Sequence, residues 1–138
     1  MKITTFTLIP ALVLSLGTGA MAADDEETPL AEAMEDLSAS LKKLRRARDF
    51  NAKAELIRGG EDACIKSLQY LPATIEAMPD GADKTKAVAD YRRLMGLTLA
   101  LMSELELAFL AEDEAKAEEL VDKLKDLKKE GHEKYEEE

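Results

Sequence analysis

Leu30, Met34, Leu37, Leu41 and Leu44 follow one another at steps of four, three, four and three. Only an α-helix gathers residues at that spacing into a single apolar stripe. Glu32, Glu35, Asp36, Lys42 and Lys43 fall mostly around the other faces. Thr28 before Pro29 supplies a capping hydroxyl and a proline at the first helical position, so the spacing predicts a helix over about Pro29 to Arg48. Every later segment obeys the same period, and no segment alternates as a strand does.

Asn51 after a short connection is a candidate cap for a second helix, about Ala52 to Tyr70, which carries Leu56, Ile57, Ala63, Cys64, Leu68 and Leu71 inward. Gly59-Gly60 in its middle costs roughly 1 kcal/mol per glycine against alanine. Such a pair serves either close packing or a kink. Pro72 ends the helix, and Leu71 to Ala82, punctuated by Pro72, Pro79, Asp80 and Gly81, is the one long loop. It either closes over something or simply crosses the surface. A third helix, about Asp83 to Leu110, presents Tyr91, Leu94, Met95, Thr98, Leu101, Met102, Leu105 and Phe109. After a tight turn at Glu112 or Asp113, a fourth runs to about Tyr135 with Ala117, Leu120, Val121, Leu124 and Leu127 inward, and Glu136 to Glu138 fray beyond it. Short turns make the first and second helices antiparallel neighbours, and likewise the third and fourth. The economical fold is all-α, an antiparallel up-down-up-down four-helix bundle.

Met1-Lys2, the apolar run Leu8 to Leu16 and the small residues Ala20-Met21-Ala22 read as a secretory signal peptide of residues 1–22. The run is too short to span a bilayer. Cleavage after Ala22 leaves a single domain over residues 23–138, exported and without membrane insertion. Without Lys2, 18 basic residues face 29 acidic ones, a formal charge of −11. That excludes a nucleic-acid partner, which needs a basic footprint. It suits either steering towards basic partners or mere solubility. Cys64 is alone, so no intrachain disulfide forms and a buried apolar role is expected.

His132, the only histidine, lies eleven residues after Val121, and eleven steps of about 100° return it to within roughly 20° of the same direction. It is therefore expected to face inward. In an antiparallel bundle Met34 and His132 share one end of the core. A thioether and an imidazole across an apolar gap are a haem iron's two axial ligands. Taken alone the residues leave two readings open, since a methionine on an apolar seam and a histidine near a helix end are each more commonly structural. Covalent attachment is excluded, because Lys128-Lys129-Glu130-Gly131 precedes the histidine in place of C-x-x-C.

The segment Leu30-Ala31-Glu32-Ala33-Met34-Glu35-Asp36-Leu37-Ser38-Ala39-Ser40-Leu41-Lys42 resembles the first helix of the cytochrome b562 family, periplasmic haem-binding four-helix bundles. His132-Glu133-Lys134-Tyr135 resembles that family's C-terminal His-x-Lys-Tyr, and Tyr91-Arg92 its Phe-Arg pair. The resemblance spans about Pro29 to Tyr135. It implies Met34 and His132 as the axial ligands of one non-covalent haem b, and Leu37, Pro72, Tyr91, Met95 and Leu124 as pocket lining. Three departures stand out. Met95 replaces a flanking aromatic ring, Gly131 a tyrosine, and Glu136 to Glu138 stand where a terminal arginine is usual. Lys128, one turn before His132, offsets that acidity towards haem propionates. The implied function is a monomeric periplasmic single-electron carrier, not an enzyme, that serves basic redox partner proteins. A haem-free acidic bundle acting by contact, as an interaction or chaperone-like protein, is the alternative.

Overall fold

A computed structural model describes residues 28–136. The signal-peptide reading and the fraying of Glu137 and Glu138 lie outside the described residues. The chain forms α1 (Pro29–Leu44), α2 (Phe50–Ser67), a single turn α3 (Ala73–Glu76), α4 (Ala82–Leu110) and α5 (Glu114–Tyr135). The four long helices make the antiparallel bundle, with α3 lying in the long α2–α4 connection.

The caps explain the boundaries. Ala31 N–H donates to Thr28 Oγ1 at 3.1 Å, as the Thr-Pro pair requires. α1 stops at Leu44 rather than Arg48. Arg46 and Ala47 N–H both turn back to Lys43 O, which closes the last turn and frees Asp49 to start the next helix. Asp49 caps α2, its Oδ2 accepting from Ala52 N–H at 2.8 Å. Asn51 therefore lies inside the helix, where a cap had been expected. Asp113 caps α5 in the same way, with Oδ1 accepting from Lys116 N–H at 3.0 Å. The reversal before it passes through Glu112 at φ 55°, a left-handed residue that lets α4 and α5 lie side by side. The loop expected over Leu71 to Ala82 gains order from α3, whose Ile75 is buried.

Gly60 is buried where α2 crosses α1 and α4, and a Cβ there would collide with the terminal methyl of Met102. α2 runs unbroken through the pair, so Gly60 serves close packing rather than a kink. Gly59 faces out, and a Cβ on it would meet only Ser40 Oγ at an ordinary 3.7 Å.

Two apolar clusters fill the bundle. One, around Ile57, Met102, Leu105, Phe109, Leu120 and Leu124, occupies the end at the α1–α2 and α4–α5 turns. The other, around Cys64, Ile75, Tyr91 and Met95, occupies the opposite end, under the long connection. Close helix pairs form as α1 with α2, α2 with α4 and α4 with α5. α1 and α5 make no comparably close pair.

The two glycines should respond oppositely to larger side chains. Gly59→Ala should stabilise by roughly 0.5–1 kcal/mol through helix propensity, whereas Gly60→Leu should cost about 1–3 kcal/mol through overpacking. Urea unfolding followed by circular dichroism gives both signs. Equal effects at the two sites would refute the close packing at Gly60.

Candidate functional site

The second cluster collects residues from every long helix. α1 contributes Leu30 and Met34, α2 contributes Cys64 with Leu68 just past its end, α4 contributes Tyr91 and Met95, and α5 contributes Tyr135. Met34 is half-buried against this cluster. Its phase on α1 can be fixed from neighbours. Glu32 reaches Lys66 of α2 at 3.3 Å, and Ser40 and Leu37 approach α2 at the glycines. At about 100° per residue, Met34 lies on the opposite border of the apolar stripe. It sits on the α1 edge that α2 does not cover.

The same reasoning places His132. Glu130 and Lys134 of α5 bind α4, through Arg93 Nη2 to Glu130 Oε1 at 2.9 Å and Lys134 Nζ to Asp90 Oδ2 at 3.0 Å. His132 is two residues from each, about 160–200° around the helix. It therefore lies, with Val121 and Lys128, on the α5 edge turned away from α4. The expectation that it faces inward is corrected, because its side chain is 51% exposed. Val121 is itself only half-buried at the border of the stripe, so a residue in phase with it is a border residue too. The inward seam ends instead on Leu124, Leu127, Gly131 and Tyr135.

Met34 and His132 thus occupy the edges of α1 and α5 that border the one side of the bundle without a close helix pair. His132 Nδ1 lies 2.6 Å from Glu136 Oε2. Nε2 makes no hydrogen bond among the described residues. A carboxylate on one nitrogen of a histidine fixes the ring and leaves the other nitrogen to meet a metal.

The remaining expected lining divides. Tyr91 and Met95 are buried in the second cluster, and Pro72 is buried in the connection beside it. Leu124 is buried in the first cluster, and Leu37 packs against that same cluster. Lys128 is exposed one turn before His132. Cys64 is buried as expected. Its Sγ–H donates to Met95 O at 3.3 Å, and burial pushes the thiol up to about 11. Tyr91 O–H donates to Ser67 O at 3.3 Å, and burial pushes the phenol up to about 12.

Sequence reasoning missed what fastens the histidine's helix. Tyr135 packs edge-on against Tyr91, with ring centroids 5.9 Å apart and an interplanar angle of 87°. Its hydroxyl donates to Asp90 Oδ2 at 2.7 Å, and Thr74 Oγ1 donates to its backbone oxygen at 3.0 Å. Arg93 Nε donates to Asp90 Oδ1 at 2.8 Å. The Tyr135 hydroxyl foremost, then Lys134 and Arg93, hold the Asp90 carboxyl well below the usual carboxylate range. Burial, then Asp90, pushes the Tyr135 phenol up to about 12. The sequence does place Asp90 beside Tyr91, but an acidic residue on a helix flank carries no mark of its partner 45 residues later.

The donor set fits a haem. A thioether stands beside the apolar second cluster on the border of α1, an imidazole stands on the border of α5 at the same end, and the imidazole's other nitrogen is held by a carboxylate. Among the described residues no group of three or more His, Cys, Asp or Glu gathers as a metal cluster. A four-helix bundle with donors on facing helices belongs to the class that builds its cofactor site between those helices. The pattern of the cytochrome b562 family matches residues 29–136, and the chain belongs to that family of haem-binding electron carriers. No curated protein and no solved structure matches it.

The depressed acidity of Asp90 fixes the sign of a pH effect. A carboxyl held low in the folded state adds stability above its unfolded value of about 3.9 and loses it as pH falls below that. Asp90→Asn should lower stability at pH 7 and make its decline below about pH 4 shallower. Urea midpoints at pH 7 and pH 3 check this. Parallel pH profiles for the two proteins would refute the role of Asp90.

Proposed function

We propose that the protein is a periplasmic b-type cytochrome that carries single electrons, with one haem held non-covalently between Met34 and His132. The observation that supports it best is the placement of these two side chains on facing edges of α1 and α5, on the side of the bundle that no close helix pair seals. The haem supplies an iron that changes by one electron. Met34 supplies a soft donor that favours the reduced metal, and His132 supplies the imidazole. Held by both residues, the iron would offer no place for oxygen or substrate, which suits a carrier rather than an enzyme. Glu136 orients the ring of His132. Tyr91, Met95 and the neighbouring leucines exclude water, and the Asp90–Tyr135 contact keeps the last turn of α5 in place.

The basic start, apolar run and small residues before Ala23 support export to the periplasm. No helix among the described residues is long and apolar enough to cross a membrane. The acidic surface supports basic redox partners. The half-exposure of His132 favours the alternative, a haem-free contact protein, and one spectrum separates the two. A sharp Soret band with split visible bands after reduction supports the cytochrome, whereas a colourless protein indifferent to haemin supports the alternative.

Ligation is tested by two variants. Met34→Ala should keep haem in a five-coordinate, high-spin form through His132. His132→Ala should lose most of it, because a thioether alone is a weak ligand. Identical low-spin spectra for wild type and both variants would sink the assignment.

Docking is tested by salt. Electron-transfer encounters bury less than about 1,200 Å², and the Debye length shrinks from about 30 Å at 0.01 M to about 10 Å at 0.1 M salt. Transfer to a cationic c-type cytochrome should be faster at low ionic strength, and transfer to an acidic acceptor of similar potential slower. A stopped-flow rate to the basic acceptor that ignores salt, or rises with it, would leave the acidity to solubility alone.

A further inference from the structure

From Leu94 to Ser103, α4 carries no charged residue, in a chain that is 35% charged. A surface helix needs one apolar face, and this stretch has two. Leu94, Met95 and Met102 are buried inward. Gly96, Leu97, Ala100 and Ser103 are exposed outward, and the face continues into Leu107 and Leu110. Three of the four large hydrophobic side chains exposed among the described residues lie on this helix: Leu97 at 43%, Leu107 at 67% and Leu110 at 50%. A helix apolar all round is a buried helix, and clustered exposed apolar residues mark a contact surface.

The order of residues along this face points to the occupant. Ala89, Arg93, Gly96, Ala100, Ser103 and Leu107 recur at steps of four, three, four, three and four, the spacing of a helix–helix seam. The spacing reads the same in both directions about Thr98. A Cβ at Gly96 would meet nothing within 4 Å, so a second backbone has room to come close. The two ends of the uncharged run differ in sign, with Arg92 and Arg93 before it and Glu104 after it. Arg93 is already held by Asp90 and Glu130, so an antiparallel copy sets Arg92 of each chain beside Glu104 of the other, whereas a parallel copy sets like against like.

We propose that a second copy of this chain docks antiparallel on the outer face of α4, about a two-fold axis near Thr98, as a weak homodimer. The contact is isologous, the same patch serving both partners. It is weak for two reasons. One helix pair buries less than the roughly 800 Å² per partner of a standard interface, and a formal charge of −10 on each chain opposes association. The chain would then be the monomer that the family resemblance implies at low concentration and would pair as it is concentrated. α4 stands diagonally across the bundle from α1, so the dimer leaves the α1–α5 side open. The proposal does not depend on haem.

Sedimentation velocity from micromolar to millimolar protein, with and without haemin, tests it. Wild type should move from monomer to dimer, and Ala100→Glu should weaken the dimer at least about tenfold by placing acids against each other. An unchanged helical circular dichroism signal would show that this exposed substitution leaves the fold intact. The register is read by a short thiol crosslinker, since the chain's own Cys64 is buried. Leu97→Cys should link to its copy, the two positions lying about 3 Å apart along the axis. Glu104→Cys should not, its copies being about 18 Å apart along the axis. A wild type that stays monomeric at millimolar concentration, a dimer indifferent to Ala100→Glu, or equal crosslinking at both positions would each overturn the proposal.

Discussion

Everything at the candidate site depends on one asymmetry of packing. α2 and α4 each lie against two close neighbours, whereas α1 has only α2 and α5 has only α4. Helix packing draws axes to about 8–10 Å when side chains interdigitate, and the chain makes three such pairs. The fourth side is bordered by Met34 on α1 and by Val121, Lys128 and His132 on α5. Each of these stands where a stripe of core residues gives way to solvent. A bundle sealed on all four sides would force a histidine at that position to be buried with a fixed partner. With that side open, the same residue keeps a nitrogen free while its helix stays fully folded.

An open side puts a demand on the end of α5, because the last turn of a helix frays unless it is tied down. Here the tie is polar. Asp90 receives Tyr135, Lys134 and Arg93, while Glu130 joins Lys134 to Arg93 across the helix pair. Exposed ion pairs taken singly contribute little, but shared carboxylates in a network hold geometry better than isolated pairs do. The Tyr91–Tyr135 edge contact adds an apolar anchor beneath them. α4 thus does for α5 what α1 does not, and His132 is carried on a helix end that is fixed from the side opposite to it.

Much of this was legible in the residues. The steps of three and four along α1 and the Thr28-Pro29 cap fixed the helix and its start, whereas α2 stops at Ser67, short of the Tyr70 that Pro72 had suggested, because Gln69 and Tyr70 N–H turn back to Lys66 and Ser67. The burial of Cys64 also followed from composition, whereas the glycine pair left close packing and a kink both open, and only the contact of Gly60 with Met102 decided between them. What periodicity could not resolve was angle. A stripe of apolar residues is some 100° wide, and phase with Val121 placed His132 inward only if Val121 were at its centre. Val121 proved to be at its border. The cap at Asp49 was missed for a related reason, since Asn51 and Asp49 are equally good caps and only the turn at Lys43 decides between them. The Asp90–Tyr135 contact lay out of reach altogether, because it joins positions that share no sequence signal.

Two departures from the family pattern, Met95 and Glu136, bear directly on the site. Met95 is buried and held in the second cluster, its carbonyl taken by Cys64. A thioether there keeps the wall apolar but gives up the flat contact that an aromatic ring would offer a macrocycle. Glu136, in place of a terminal arginine, engages His132 rather than solvent alone. A carboxylate on the far nitrogen makes an imidazole a stronger donor, while its charge disfavours acidic groups nearby, and Lys128 on the same edge of α5 works against that repulsion. On the ligation proposed above, the ring loss and the added charge would weaken retention of a propionate-bearing cofactor, whereas the Glu136 contact would strengthen the bond from His132. Affinity and ligand strength would then be set by different residues and could change independently.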